Sequence, residues 1–244
     1  MRYRTIQFDE VGYSIRSIES DEDRMQAYRL RHLVFRETLK WIPMDPAGLD
    51  VDEYDAAATS VGIFEDGVLV GLARFVPPDH RFMLEREFAA LIAPEHRVHK
   101  TPDAAEISRL TVAPPSWRGD GILAGQLSLL LYKSVYQWSL ANGVRYLYLV
   151  VERRFCRALV RAGFPCAAIG PGRRLPPAEA ESVAAVLDWE LFRTQHHLKR
   201  REFLAWMSTV QSPPTPPAAA WRPTGMTVPI RTEESGRDFS PSLR

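Results

Sequence analysis

Apolar and polar residues alternate through Gly12–Ile18 (GYSIRSI), the period of a strand with one face buried. The period then changes to that of a helix. Ser20 to Asp23 supply an N-cap and acids for a first turn, and the helix they open runs to near Trp41. Its spacing turns Leu30, Leu33 and Val34 towards a core and puts Arg31 and Phe35, four apart, on one face. Pro43 and Pro46 end the helix, and Gly48 loosens an acidic loop. VGIF and VLVGLARFV then flank Asp66-Gly67, a two-residue turn, and predict a hairpin. Gly71 interrupts its second strand and marks a bulge or a close ligand approach.

Residues 82–93 read as a short helix whose apolar members are Phe82, Leu84, Phe88 and Leu91. AEISRLTV is a strand, broken by APPSWRGDG before an amphipathic helix to about Leu140, with Leu123, Leu127, Leu130 and Val135 at helical spacing. An apolar strand (GVRYLYLVV), a helix closed by Gly163, and a short strand at PCAAIG follow. Residues 182–189 predict a last strand, then a helix through Phe203 and Trp206. Strands that alternate with helices place the chain in the α/β (α+β) class.

Composition narrows this picture. With 244 residues and 45% hydrophobic content, residues 1–210 can bury one core, whereas 211–244 are proline-rich and polar and read as a disordered tail. The 31 basic and 30 acidic residues nearly cancel, so no global field points to nucleic acid. No apolar run reaches secretory or membrane-spanning length, and the expected location is cytoplasmic. Cys156 and Cys166 are too few for a disulfide framework, and no Cys/His cluster has metal-ligand spacing, so no metal site is expected.

The informative chemistry lies in Arg31–Asp55. A guanidinium, two aromatics and two carboxylates (Arg31, Phe35, Trp41, Asp52, Asp55) suit a small zwitterion carrying a flat ring. Arg74 and Arg109 sit in otherwise apolar strands, where a buried guanidinium needs a carboxylate or a ligand anion. Asp52, Asp55 and Glu106 are the available partners, for a structural cluster or for a substrate site. Glu106 and Arg109 are three apart, so a regular strand aims them at opposite faces; either a bulge corrects this or only one faces the site. Arg153, Arg154, Arg157 and Arg161 form a basic stripe, either a solvated helix face or a docking face for an acidic carrier protein.

The spacing Arg31, Phe35, Trp41, Asp52, Asp55, followed by GLARFVP (Arg74) and EISRLTV (Glu106, Arg109), resembles the acyl-homoserine-lactone synthases of the LuxI type over roughly residues 20–165. TVAPPSWRGDGILAGQL resembles the pyrophosphate-binding turn of the GCN5-related N-acyltransferase fold, with Arg118, Gly119 and Gly121 in the loop. The resemblance implies that fold, a twisted mixed central sheet flanked by helices, and a two-step reaction. S-adenosylmethionine is acylated on its amine from acyl carrier protein or acyl-CoA, then lactonises and releases methylthioadenosine, with no cofactor. It further implies that Arg31, Phe35, Trp41, Asp52, Asp55, Arg74 and Arg109 shape the S-adenosylmethionine pocket. Glu106 helps deprotonate the amine, with Arg109 and Asp52 beside it. Ser108, Val112, Tyr146 and Tyr148 are placed along the acyl chain. DEYD, EISRLTV and AIGP also resemble exosortase-associated acyltransferases and long-chain N-acyl amino acid synthases, which use another amine. A third possibility is a non-catalytic domain of this fold that binds an acylated carrier.

Overall fold

A computed structural model of the chain describes residues 3–114 and 124–210. The RGDG loop, with Arg118, Gly119 and Gly121, and the 211–244 tail lie outside the described residues. Nine strands form one sheet among those described: β1 Gln7–Glu10, β2 Tyr13–Ser17, β3 Thr59–Glu65, β4 Val68–Val76, β5 Ala104–Val112, β6 Tyr146–Glu152, β7 Cys166–Ala168, β8 Arg173–Arg174 and β9 Glu181–Asp188. Their order is β1-β2-β3-β4-β5-β6-β9-β7, with β8 also on β9. Every pairing is antiparallel except β5–β6, which the crossover helix α2 (Ala124–Asn142) makes parallel.

Helix α1 (Asp21–Arg31) begins as its sequence dictates: the Ser20 side chain accepts from the Asp23 amide, and three acids fill the first turn. Its continuation departs from expectation. From His32 to Thr38 the backbone widens into a π-helix. Contacts at five-residue spacing favour the wider turn: His32 Nδ1 with Glu37 Oε1 at 2.9 Å, and Thr38 Oγ1 donating to the Leu33 carbonyl at 2.8 Å. The hairpin is as predicted, with Asp66 and Gly67 both at positive φ, and the β3–β4 register shifts beside Gly71.

Residues 82–93 correct the sequence reading. They form two 3-10 turns, Met83–Glu85 and Ala89–Leu91, rather than one helix, because the Met83 and Leu84 amides donate to the Glu106 carboxylate. Strands β1 and β8, too polar or too short to stand out, were not predicted. Gly163 closes α3 (Arg153–Ala162) in the left-handed region, as expected. The final helix is two, α4 (Trp189–Lys199) and α5 (Arg201–Ser208), parted at Arg200, whose guanidinium donates to the Ala162 carbonyl. The main core joins sheet and helices through residues such as Phe75 and Trp138, stacked at 3.7 Å. A second cluster (Phe82, Leu84, Leu91, Tyr148) lies under the 3-10 turns.

Candidate active site

The loop after the π-helix delivers three aspartates to four arginines, on α1, the π-helix, β4 and β5. Asp50, fully buried, accepts from Arg31 Nε at 3.0 Å, from Arg36 Nη2 at 2.9 Å and from Arg109 Nε at 2.6 Å. Asp52 accepts from Arg74 at 2.5 Å and Arg109 at 3.1 Å; Asp55 accepts from Arg31 at 2.7 Å and Arg74 at 2.8 Å. The Asp52 and Asp55 side chains also cap the short turn Glu53–Ala56, which fixes the spacing of the acids. Burial pushes the Asp50 carboxyl up, but the Arg109 and Arg31 guanidinium groups outweigh it and hold it well below the usual carboxylate range. The same contest, with Arg31 and Arg74, lowers Asp55.

Four guanidinium groups meet three carboxylates here, so one positive charge is left over. Arg36 and Arg109 are the most exposed of the four, at 12% and 11%, and Arg109 lies over the Phe35 ring at 5.3 Å. The spacing conflict between Glu106 and Arg109 is resolved by a bulge. Arg74 pairs with Ser108 and Leu72 with Thr111, so β5 carries one residue more than β4, and Arg109 takes φ 52°. A left-handed arginine costs roughly 1–2 kcal/mol, which the ion pairs to Asp50 and Asp52 offset.

Glu106 is 2% exposed, and its two oxygens accept from the amides of Met83 (2.6 Å) and Leu84 (2.7 Å). Burial raises this carboxyl to about 7, although the amides and Arg74 pull the other way. A carboxyl that titrates near neutrality beside a cavity is suited to general base work.

Two cavities meet at these residues. Strands β5 and β6 pair over Ala104–Glu106 and Tyr146–Tyr148, then separate into a wedge. One cavity of about 330 Å³ is walled by Trp41, Phe35, Met83, Glu106 and Arg109; another of about 230 Å³ occupies the wedge between Leu110, Thr111, Leu149 and Phe155. Both touch Ser108, Arg109, Val150 and Val151, and the Phe35 and Trp41 rings lie 6.1 Å apart at the shared rim.

Residues 16–194 match the family model described as autoinducer synthase. The chain belongs to the autoinducer synthase family. Among relatives, it is 33% identical over 149 residues to an acyl-homoserine-lactone synthase of Rhizobium radiobacter, covering 59% of this chain and 69% of that one. It is 28% identical over 176 residues to a probable synthase of the same kind from Sinorhizobium fredii, covering 70% and 83%. Among solved structures it resembles the CoA-dependent acyl-homoserine lactone synthase BjaI with SAM and isopentyl-CoA, at 26% identity and TM-score 0.61, over 74% of this chain and 86% of that one. The chain is thus an enzyme, an acyl-homoserine-lactone synthase with the N-acyltransferase type of fold.

Within this autoinducer synthase, Phe35, Trp41, Glu106, Ser108 and Arg109 line the larger cavity. Arg31, Asp55 and Arg74 stand behind them as supports: Arg74 is fully buried, its Nε donates to Ser108 Oγ at 3.0 Å and its Nη2 reaches Met83 Sδ at 3.4 Å. Asp52 is the most open of the three aspartates, its side chain 22% exposed. Three acyl-chain expectations are corrected. Tyr148 is fully buried in the second core cluster and its hydroxyl accepts from the His99 amide at 2.9 Å. Tyr146 stacks on His99 at 5.4 Å, and Val112 pairs with Gly71 at the far end of β5. On β6 these tyrosines precede the wedge, where β5 still covers them. Sequence reasoning missed Asp50 and Arg36, although Asp50 lies in the same acidic loop, two residues before Asp52.

Proposed function

We propose that this synthase binds S-adenosylmethionine in the larger cavity and an acyl phosphopantetheine thioester, on acyl carrier protein or coenzyme A, along the wedge. The observation that carries the reading is the bulge that turns Arg109 onto the face of Glu106 at the junction of both cavities. The uncompensated guanidinium charge attracts the methionine carboxylate, and Trp41 with Phe35 offers flat apolar surface to the adenosine ring. Beyond Glu106 and Tyr148 the ladder between β5 and β6 ends, and the amides of a pantetheine arm complete it.

Chemistry then needs two steps. Glu106, ionised above about 7, takes a proton from the substrate ammonium directly or through water. The free amine attacks the thioester carbonyl; a C–N bond forms, the C–S bond breaks, and the pantetheine thiolate leaves and is protonated. In the second step the methionine carboxylate attacks its own γ-carbon. The Cγ–S⁺ bond breaks, methylthioadenosine departs neutral, and the lactone closes with no further proton transfer. Holding both partners at the junction supplies most of the advantage, since a bimolecular step becomes unimolecular.

Incubation with S-adenosylmethionine and acyl thioesters tests this. Equal amounts of free thiol and methylthioadenosine are expected, with an N-acyl-homoserine lactone by mass spectrometry. Thiol release that depends on a free amino acid instead would transfer the activity to the N-acyl amino acid synthases.

A further inference from the structure

The wedge continues inward. Its cavity shares Ile107, Leu110 and Leu149 with a third space, a recess of about 30 Å³ with wholly apolar walls. One water needs roughly 10–15 Å³ of such space, so the recess takes about two water-sized groups, the end of a short carbon chain. The floor is aromatic: Tyr132 from α2, Phe164 after α3, and Trp189 at the start of α4.

This floor is braced from behind. Phe164 meets Tyr132 edge-on at 5.2 Å and Trp189 at 6.3 Å, and it stacks on Phe192 at 5.4 Å. Phe164, Trp189 and Phe192 are buried to 1% or less. Turning any one of them aside breaks contacts with the others, and a close-packed interior has no slack to absorb that. Arg109 and Glu152 border both cavities, but the larger one also carries Glu87 and Glu106, whereas the recess has no charged residue in its wall, so a carbon chain finds its better berth there. A chain whose carbonyl sits at Ser108 and Arg109 therefore runs past Ile107 and Leu149 into the recess, and stops there.

Resting on the synthase reading, we infer that the acyl group is short, its length capped by the Tyr132–Phe164–Trp189 floor. Calorimetric titration of the full chain with acyl-pantetheine thioesters from acetyl to dodecanoyl tests the cap. Methylthioadenosine is included to fill the neighbouring cavity, so that binding is read without turnover. Affinity is expected to peak near butanoyl and to fall at least about tenfold by octanoyl, the discrimination one surplus methylene gives in a tight pocket. Phe164→Leu is expected to move the peak to longer chains; if that variant does not fold, Tyr132→Ala opens the opposite wall and must do the same. Affinity that rises steadily to dodecanoyl, or no binding of any member, overturns the inference. Methylthioadenosine release, assayed separately with S-adenosylmethionine, keeps the two claims apart. Long-chain selectivity with release defeats only the length cap, whereas short-chain selectivity without release leaves the cap and defeats the synthase reading.

Discussion

The two halves of the cavity are built by opposite means. On the Trp41 side, Arg31, Arg36, Arg74 and Arg109 are interlocked with Asp50, Asp52 and Asp55, so each charged atom's position depends on several others. On the wedge side, Ile107, Leu110 and Leu149 wall the inner recess with shape alone. A charged network is all or nothing: removing one buried partner strands the rest. An apolar wall is graded, since each methylene adds or removes a similar increment. On the proposed reading, the fixed half meets S-adenosylmethionine and the graded half meets the acyl chain.

The sharpest way to break this comparison is at the junction. Glu106→Gln preserves shape and the acceptor to one amide but removes the base; kcat is expected to fall about 10²–10⁴-fold, with the Km for S-adenosylmethionine nearly unchanged. An undiminished kcat would pass the proton to another acceptor. Next comes Asp50→Ala, which strands three guanidinium groups and is expected to cost about 3–5 kcal/mol in urea unfolding. A loss below 1 kcal/mol would mean that the network is not interlocked.

Trp41→Ala is expected to raise the Km for S-adenosylmethionine about tenfold, with a smaller change in the preference among acyl donors because the ring also borders the wedge. An altered chain-length preference with no change in that Km would reverse the assignment of the halves. The pH dependence is a gentler probe. Because Glu106 titrates at about 7, kcat/Km should rise about tenfold per pH unit below that point and level off above it. Its folded value lies above its unfolded one, so its contribution to stability is full below the unfolded value and is lost as pH rises through about 7. Asp50 and Asp55, lowered on folding, act oppositely: their contribution is present above the unfolded value and is lost in acid. The smallest effect is expected on the graded side. Leu149→Val removes one methylene at roughly 0.5–1.5 kcal/mol of stability and changes acyl selectivity without touching the Km for S-adenosylmethionine.

Much of the architecture was legible because local rules govern it. The alternating, β-rich and apolar runs became β2 to β7 and β9, Ser20 and Gly163 capped their helices, and Asp66-Gly67 made its turn. Where the reading failed, distant partners had overridden local preference. Residues 82–93 gave up a helix because their amides serve Glu106, and α1 gave way to a π-helix where side chains meet at five-residue spacing. Tyr146 and Tyr148 carried no signal to separate a core tyrosine from a tunnel wall.

The sequence by itself determined the inventory: which residues carry charge, which are aromatic, and in what order the strands and helices follow. It also required that Arg74 and Arg109, set in apolar strands, find a carboxylate or a ligand anion, because an unpaired buried guanidinium is too costly. Which carboxylate serves which arginine, and that Asp50 joins three of them, was settled only when the loop folded over β4 and β5. The bulge at Arg109 and the parting of β5 from β6 are likewise tertiary facts. Register and strand divergence depend on contacts between residues tens of positions apart, and no local pattern records them.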